Sequence, residues 1–250
     1  MKTVTIGTVD LSSGTPKVGV VIAAADRQTL MGQAGQVLTS AAEIVIWQLG
    51  AYQELDNRAE LINTASQLRQ VLGTIPVVAA FKHPATTMSA EKYYQTCLTL
   101  INNRAVVALD VDFEMISQLD YGTLTHQMRA NDVKLCISQT LPDSATAPEM
   151  VTAYRQMAAA GADVARVTIA GQSTAAILAL MTATATARDQ LALPVVASAS
   201  GALGRFNAVC GQLTGSAIAI GRVGHAGPGN QLPVSKLKQA IQTLATTEGV

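Results

Sequence analysis

A guanidinium, an ammonium beside an imidazole, and a pair of carboxylates are the groups in this 250-residue chain whose types and spacing bear most on chemistry. Arg166 stands in the run Gly161-Ala-Asp-Val-Ala-Arg-Val-Thr-Ile169. A guanidinium stays charged at any relevant pH and has no lone pair to attack with. Arg166 can therefore hold an anion or pair with an acid, but it cannot be a nucleophile. Lys82 and His83 follow an apolar run. Neighbouring cations lower a lysine's pKa and make it nucleophilic, and an imidazole, titrating near 6.5 as a rule, could serve as its base. Asp110-Val-Asp112 has the D-x-D spacing that can hold a divalent cation. No further carboxylate or histidine cluster completes that set, so no metal is assigned, and the same acids are natural partners for Arg166. Ser198 and Ser200 lack the G-x-S-x-G elbow of a serine nucleophile and read as turn residues.

The elements that must position these groups alternate without interruption. Nearly continuous apolar runs at Lys17–Ala23, Ile44–Leu49, Ile75–Phe81, Val106–Asp110, Val133–Ser138, Val164–Ile169, Pro194–Ser198 and Ala217–Gly221 read as parallel strands covered on both faces. Between them lie amphipathic helices. Tyr94, Cys97, Leu98 and Ile101 form one stripe, begun at Ser89, and Leu61, Ala65, Leu68 and Leu72 form another, ended by Gly73. Met150, Tyr154 and Met157 make a third between Pro148 and Gly161, and Leu237, Ala240, Ile241 and Leu244 a fourth after Ser235. Repeated βα units of this kind predict a single (β/α)8 TIM barrel over residues 1–250. An open doubly wound sheet is the alternative, but no G-x-G-x-x-G follows the first strand. Residues 2–14, with the turn signal Ser12-Ser-Gly14, read as a β-hairpin closing the barrel floor. In such a barrel the strand C-termini carry the chemistry. Lys134, opening its strand, belongs to the floor, and His126 in the preceding helix reads as surface or packing.

Bulk composition narrows the partners. Net charge is zero and only 14% of residues are charged, so no basic footprint points to nucleic acid or an acidic membrane surface. Cys97, Cys136 and Cys210 are widely spaced without C-x-x-C, which fits packing thiols in a reducing cytoplasm. The N-terminus lacks the apolar stretch of a signal peptide, and no apolar run approaches the ~20 residues of a membrane span.

Several short runs, in order, resemble the type I 3-dehydroquinate dehydratase family. Thr15-Pro-Lys-Val-Gly-Val20 resembles its first barrel strand, Leu109-Asp-Val-Asp-Phe113 its acidic fourth strand, and Asp132-Val-Lys-Leu-Cys-Ile-Ser138 its fifth. Gly161-Ala-Asp-Val164 is similar to the start of the sixth strand. Ser200-Gly-Ala-Leu-Gly-Arg205 resembles the Gly-x-x-Ser-Arg turn, Gly215-Ser216 the start of the last strand, and Gly227-Pro-Gly-Asn-Gln231 the Pro-Gly-Gln loop. The resemblance implies a shikimate-pathway lyase that needs no metal or cofactor. In that chemistry a lysine imine is the electron sink, a histidine moves protons, and a glutamate supports the histidine.

Position by position, that catalytic set is absent. The lysine's place holds Arg166. The histidine of the family's Ser-x-His-Asp-Phe run falls on Thr140, and the glutamate after the third strand falls on Thr86. The ligand-holding set is altered in part. Glu-Trp-Arg reads Ile46-Trp47-Gln48, an arginine becomes Lys82, another persists as Arg205, and the last loop reads Asn230-Gln231 with His225 near the family's serine. The resemblance thus implies ligand contacts at Gln48, Lys82, His83, Arg166, Arg205, His225 and Gln231. It places Lys82, Arg166 and Arg205 around one cavity mouth, suited to a small carboxylate. The leading expectation is a binding or regulatory protein without imine-forming dehydratase activity. The rivals are altered chemistry on a hydroxy- or keto-acid through Lys82, His83 or His225, and ordinary dehydration. A homodimer paired through outer helices is what the family resemblance implies for assembly.

Overall fold

The computed structural model describes residues 3–12, 14–81, 88–224 and 230–245. A short antiparallel hairpin, β1 (Thr5–Ile6) and β2 (Val9–Asp10), precedes everything else. Its turn is at Gly7, whose φ of 57° favours glycine, and not at Ser12-Ser-Gly14 as the sequence suggests.

Eight parallel strands follow in one sheet. They are β3 (Lys17–Ile22), β4 (Ile44–Gln48), β5 (Val77–Ala80), β6 (Ala108–Asp112), β7 (Lys134–Thr140), β8 (Val164–Ile169), β9 (Val195–Ala199) and β10 (Ile218–Gly221). From β4 to β9 each pairs with its predecessor, and β10 returns to pair with β3. The circle closes between β9 and β10 through the Val195–Ser216 bridge, where the Ala217 amide donates to the Val195 carbonyl at 2.8 Å. Side chains complete that seam. The Ser216 hydroxyl accepts from the Ala197 amide, and Asn207 Nδ2 donates to the Ala197 carbonyl. This is an α/β barrel, as the alternation of elements predicts.

Outer helices α1 (Arg27–Leu38), α2 (Arg58–Leu72), α3 (Ala90–Asn102), α4 (Tyr121–Ala130), α5 (Ala147–Ala159), α6 (Thr174–Gln190), α7 (Gly204–Val209), α8 (Gly211–Thr214) and α9 (Val234–Leu244) cover the strands. Local chemistry sets their ends. Ser89 caps α3 by accepting from the Lys92 amide, and Thr146 with Glu149 forms a capping box on α5. Gly73, at φ 60°, ends α2. The buried stripe of α3 is Tyr93, Thr96, Cys97, Leu100 and Ile101, one position round from the predicted Tyr94 and Leu98. The Tyr93 ring turns inward because it stacks 4.5 Å from Phe81 while its hydroxyl accepts from the Asp112 amide. No helix among the described residues is long and apolar enough to cross a membrane.

Alternation along the strands creates two separate interiors. One set faces the helices and forms the large outer core. The other faces the barrel axis: Ile44 and Ile46, Val78 and Ala80, Ala108, Cys136, Val164, Val196, Ile218 and Ile220. Val4, Ile6 and Leu11 of the hairpin segment belong to this inner cluster and close the floor. A barrel floor sealed by apolar layers leaves only the other end open for polar groups.

Two helix-following residues carry positive φ without being glycine, Arg104 at 47° and Asp132 at 54°. Each succeeds a C-cap asparagine, the position where glycine is normally favoured. Arg104 serves the fold through its backbone carbonyl, which accepts from Arg69, and that bond would survive a change of side chain. We expect Arg104→Gly to stabilise the protein by about 1 kcal/mol, roughly 2–4 °C in a thermal melt. A lowered melting temperature would contradict this.

Candidate functional site

Above the apolar layers, the inward-facing positions turn polar. On β6 the axis-facing residues continue from Ala108 to Asp110 and Asp112, on β7 from Cys136 to Ser138 and Thr140, on β8 from Val164 to Arg166 and Thr168. On β9, Val196 is followed by Ser198, and Thr168 stands opposite Ser198 in register. Arg166 is therefore brought to the barrel centre by the two-residue period of a strand whose other face packs on helices.

There Arg166 is 8% exposed, and one of its terminal nitrogens lies 3.4 Å from Asp110 Oδ2, itself on a residue only 3% exposed. Among the described residues Arg166 Nε and Asp110 Oδ1 have no hydrogen-bond partner. The pair thus compensates charge in a low-dielectric interior, where either member alone would be costly. Asp112 has a different task. Its carboxylate accepts from the Glu114 amide at 3.0 Å and caps the 3-10 turn Phe113–Gln118. The two acids of the D-x-D run are thus used separately. Cys136, opposite Asp110 in register, stays a neutral thiol, since burial and then the nearby Asp110 charge push its pKa well up.

A cavity of about 230 Å³ opens at this end of the barrel. Arg166, Thr168, Ser198 and Ser200 form one wall, Val21 and Ile220 an apolar wall, and the amides of Gln48 and Gln231 complete the rim. The Thr168 and Ser198 hydroxyls are 2.9 Å apart, so each is already oriented by the other. Larger hollows of about 370 and 410 Å³ lie at the floor around Arg129 and Lys134 and on the outer rim between α2 and α3. Neither touches the inner strand ends, where barrels place their chemistry, so the smaller cavity is the candidate site. Its wall can supply a cation, hydroxyls and amides, but among the described residues no uncharged amine.

Of the residues singled out from sequence, the fold brings Gln48, Arg166 and Gln231 to this cavity. It does not bring Arg205, which lies exposed on α7 and donates from Nε to the Asn230 carbonyl at 2.6 Å. Thr140 is exposed at the end of β7, opposite Thr168. Lys82, His83, Thr86 and His225 lie outside the described residues. Sequence reasoning missed Thr168 as a wall residue, although its place two positions beyond Arg166 on a strand was the available signal. Ser198 sits in β9, not in a turn, and Ser200 just beyond it.

The geometry meets its relatives at this point. The family model for type I 3-dehydroquinase matches residues 18–248, nearly the whole barrel. The chain belongs to that family. A 3-dehydroquinate dehydratase of Lactiplantibacillus plantarum is 26% identical over 244 residues, covering 94% of this chain and 95% of the relative. One from Enterococcus faecalis is 26% identical over 249 residues, covering 97% and 98%. Among solved structures, the Clostridium difficile type I 3-dehydroquinate dehydratase with covalently modified comenic acid superposes with a TM-score of 0.90. It is 20% identical and covers 97% of this chain and 98% of its own. The Enterococcus faecalis 3-dehydroquinate dehydratase structure gives 0.88 at 24% identity, covering 97% of this chain and all (100%) of its own. At such identities the structural likeness establishes the family's barrel, while the chemistry rests on the side chains.

Proposed function

We propose that this member of the type I 3-dehydroquinase family lacks imine-forming dehydratase activity and holds a small carboxylate at the C-terminal barrel mouth. One observation carries the reading. The centre of the barrel, where the family resemblance puts an imine-forming lysine, is filled by Arg166 in an ion pair with Asp110. A guanidinium keeps the positive charge of that position and removes its nucleophilicity.

What remains is a binding site. The Arg166 fork carries five N–H donors, of which the Asp110 contact engages one end, and the hydroxyls of Thr168, Ser198 and Ser200 stand on the same wall. A carboxylate with neighbouring hydroxyls suits that combination. A cavity of about 230 Å³ is below the ~300 Å³ at which drug-sized pockets begin, so the ligand is small. The unbridged cysteines are in keeping with a reducing cytoplasm, where this proposal places the protein.

Calorimetric titration with shikimate, quinate and phosphate tests the reading. We expect saturable binding of a hydroxylated carboxylate. Arg166→Lys, which keeps the charge but loses the planar fork, should weaken it about tenfold. Absence of binding by both shikimate and quinate, or identical affinity in Arg166→Lys, would overturn the carboxylate assignment.

A further inference from the structure

The cavity has one wall that no barrel strand supplies. Gln231, 4% exposed, belongs to the segment that follows β10, and it reaches the cavity by lying across the β9–β10 seam. Its side-chain nitrogen donates to the Ala199 carbonyl on β9 at 2.8 Å. Its backbone carbonyl accepts from Arg222 Nε, just past β10, at 3.0 Å. The segment runs on beside Arg222, whose amide donates to the Leu232 carbonyl while the Val234 amide donates to the Arg222 carbonyl. Asn230, one residue earlier, gives its carbonyl to Arg205 Nε at 2.6 Å, the shortest of these bonds.

Arg205 is thus the one link among these that comes from α7. Its helix starts at Gly204, where an added Cβ would overlap the Ala199 carbonyl oxygen, the atom that accepts the Gln231 hydrogen bond. The close approach of α7 to the end of β9 sets where the Arg205 side chain begins. The seam beneath is the part of the sheet joined by a single bridge and by the Ser216 and Asn207 side chains, so the strands alone do not determine the position of Gln231.

We infer that Arg205 is a positioning residue, which sets the Gln231 wall of the cavity through the Asn230 carbonyl. This rests on the reading of the mouth as a carboxylate site, and it adds to the part that the family resemblance gave Arg205. A charge-assisted hydrogen bond to one carbonyl holds the start of the segment, and the amide of the next residue is thereby aimed at both Ala199 and the cavity.

Two measurements on the full chain test it. Hydrogen exchange without ligand should show the Arg222 and Val234 amides exchanging roughly tenfold faster in Arg205→Met than in wild type, the scale of one such bond. The amides of β3 should be unchanged, which separates loosening of the segment from general destabilisation. Unchanged exchange at Arg222 and Val234 would overturn the inference. In the second measurement, shikimate is titrated into wild type, Arg205→Met, Gln231→Ala and the double variant. We expect both single variants to weaken binding, and the double variant to bind no more weakly than Gln231→Ala alone. Additive losses would mean that Arg205 acts independently of Gln231, and would also overturn it. If wild type takes up neither shikimate nor quinate, the carboxylate reading fails, while the exchange measurement still decides the role of Arg205.

Discussion

Purified protein mixed with 3-dehydroquinate is expected to give no rise in ultraviolet absorbance from a conjugated enone product. Loss of water next to a ketone requires a proton to leave a carbon, and the electrons it abandons need a sink. An imine provides one, but only an amine that can shed its proton makes an imine. Arg166 occupies the central position, buried and paired with Asp110, and cannot shed a proton there. Proton transfer fares no better, for Thr140 on the neighbouring strand carries a hydroxyl that is no general base near neutral pH. A missing general base alone costs about 10²–10⁴-fold, before the nucleophile is counted. We therefore expect Arg166→Lys also to stay inactive. Turnover by the wild-type protein at rates typical of enzymes, roughly 1–10³ per second, would refute the proposal.

Removal of the central cation should be severe for the fold itself. In Arg166→Met the Asp110 carboxylate would remain in the barrel interior, already with one unpartnered oxygen and now without the compensating charge. Breaking one side of a buried pair typically costs about 3–5 kcal/mol, which for a chain of this length corresponds to a drop of roughly 6–20 °C in melting temperature. The double variant Arg166→Met with Asp110→Leu should recover most of that loss, because replacing both members removes the desolvated charges together. Thermal melts of the three proteins decide the matter. A single variant as stable as wild type would show that the pair contributes nothing to holding the barrel centre.

How far the sequence reveals this arrangement depends on polarity. Where a strand is nearly all apolar, its bounds can be read closely: Ile44–Leu49 is expected and Ile44–Gln48 is found. Where strands run on into the mouth, they turn polar, and hydrophobic patterning stops too early. Gln139-Thr140 belongs to β7 and Asp112 to β6, both beyond the predicted strand ends. The residues that line a barrel site are those that break the apolar run. A pairing of Arg166 with one of the two acids, Asp110 or Asp112, was legible because a charge inside a barrel must find a partner, but the choice of Asp110 was not. The direction of Arg205 was not, since it depends on a backbone carbonyl, which no side-chain pattern records. The hairpin turn was misplaced because Ser12-Ser-Gly14 has stronger turn composition than Gly7-Thr8, yet only Gly7 sits between paired strands.

The most direct test of a central guanidinium in place of an amine is intact-protein mass after borohydride reduction in the presence of 3-dehydroquinate, followed by peptide mapping. Reduction makes any imine permanent, so a reactive lysine is recorded as added mass whether or not turnover is completed. The protein is expected to keep its unmodified mass. A stoichiometric adduct on a lysine, Lys82 included, would contradict the account by showing that imine chemistry persists in this barrel.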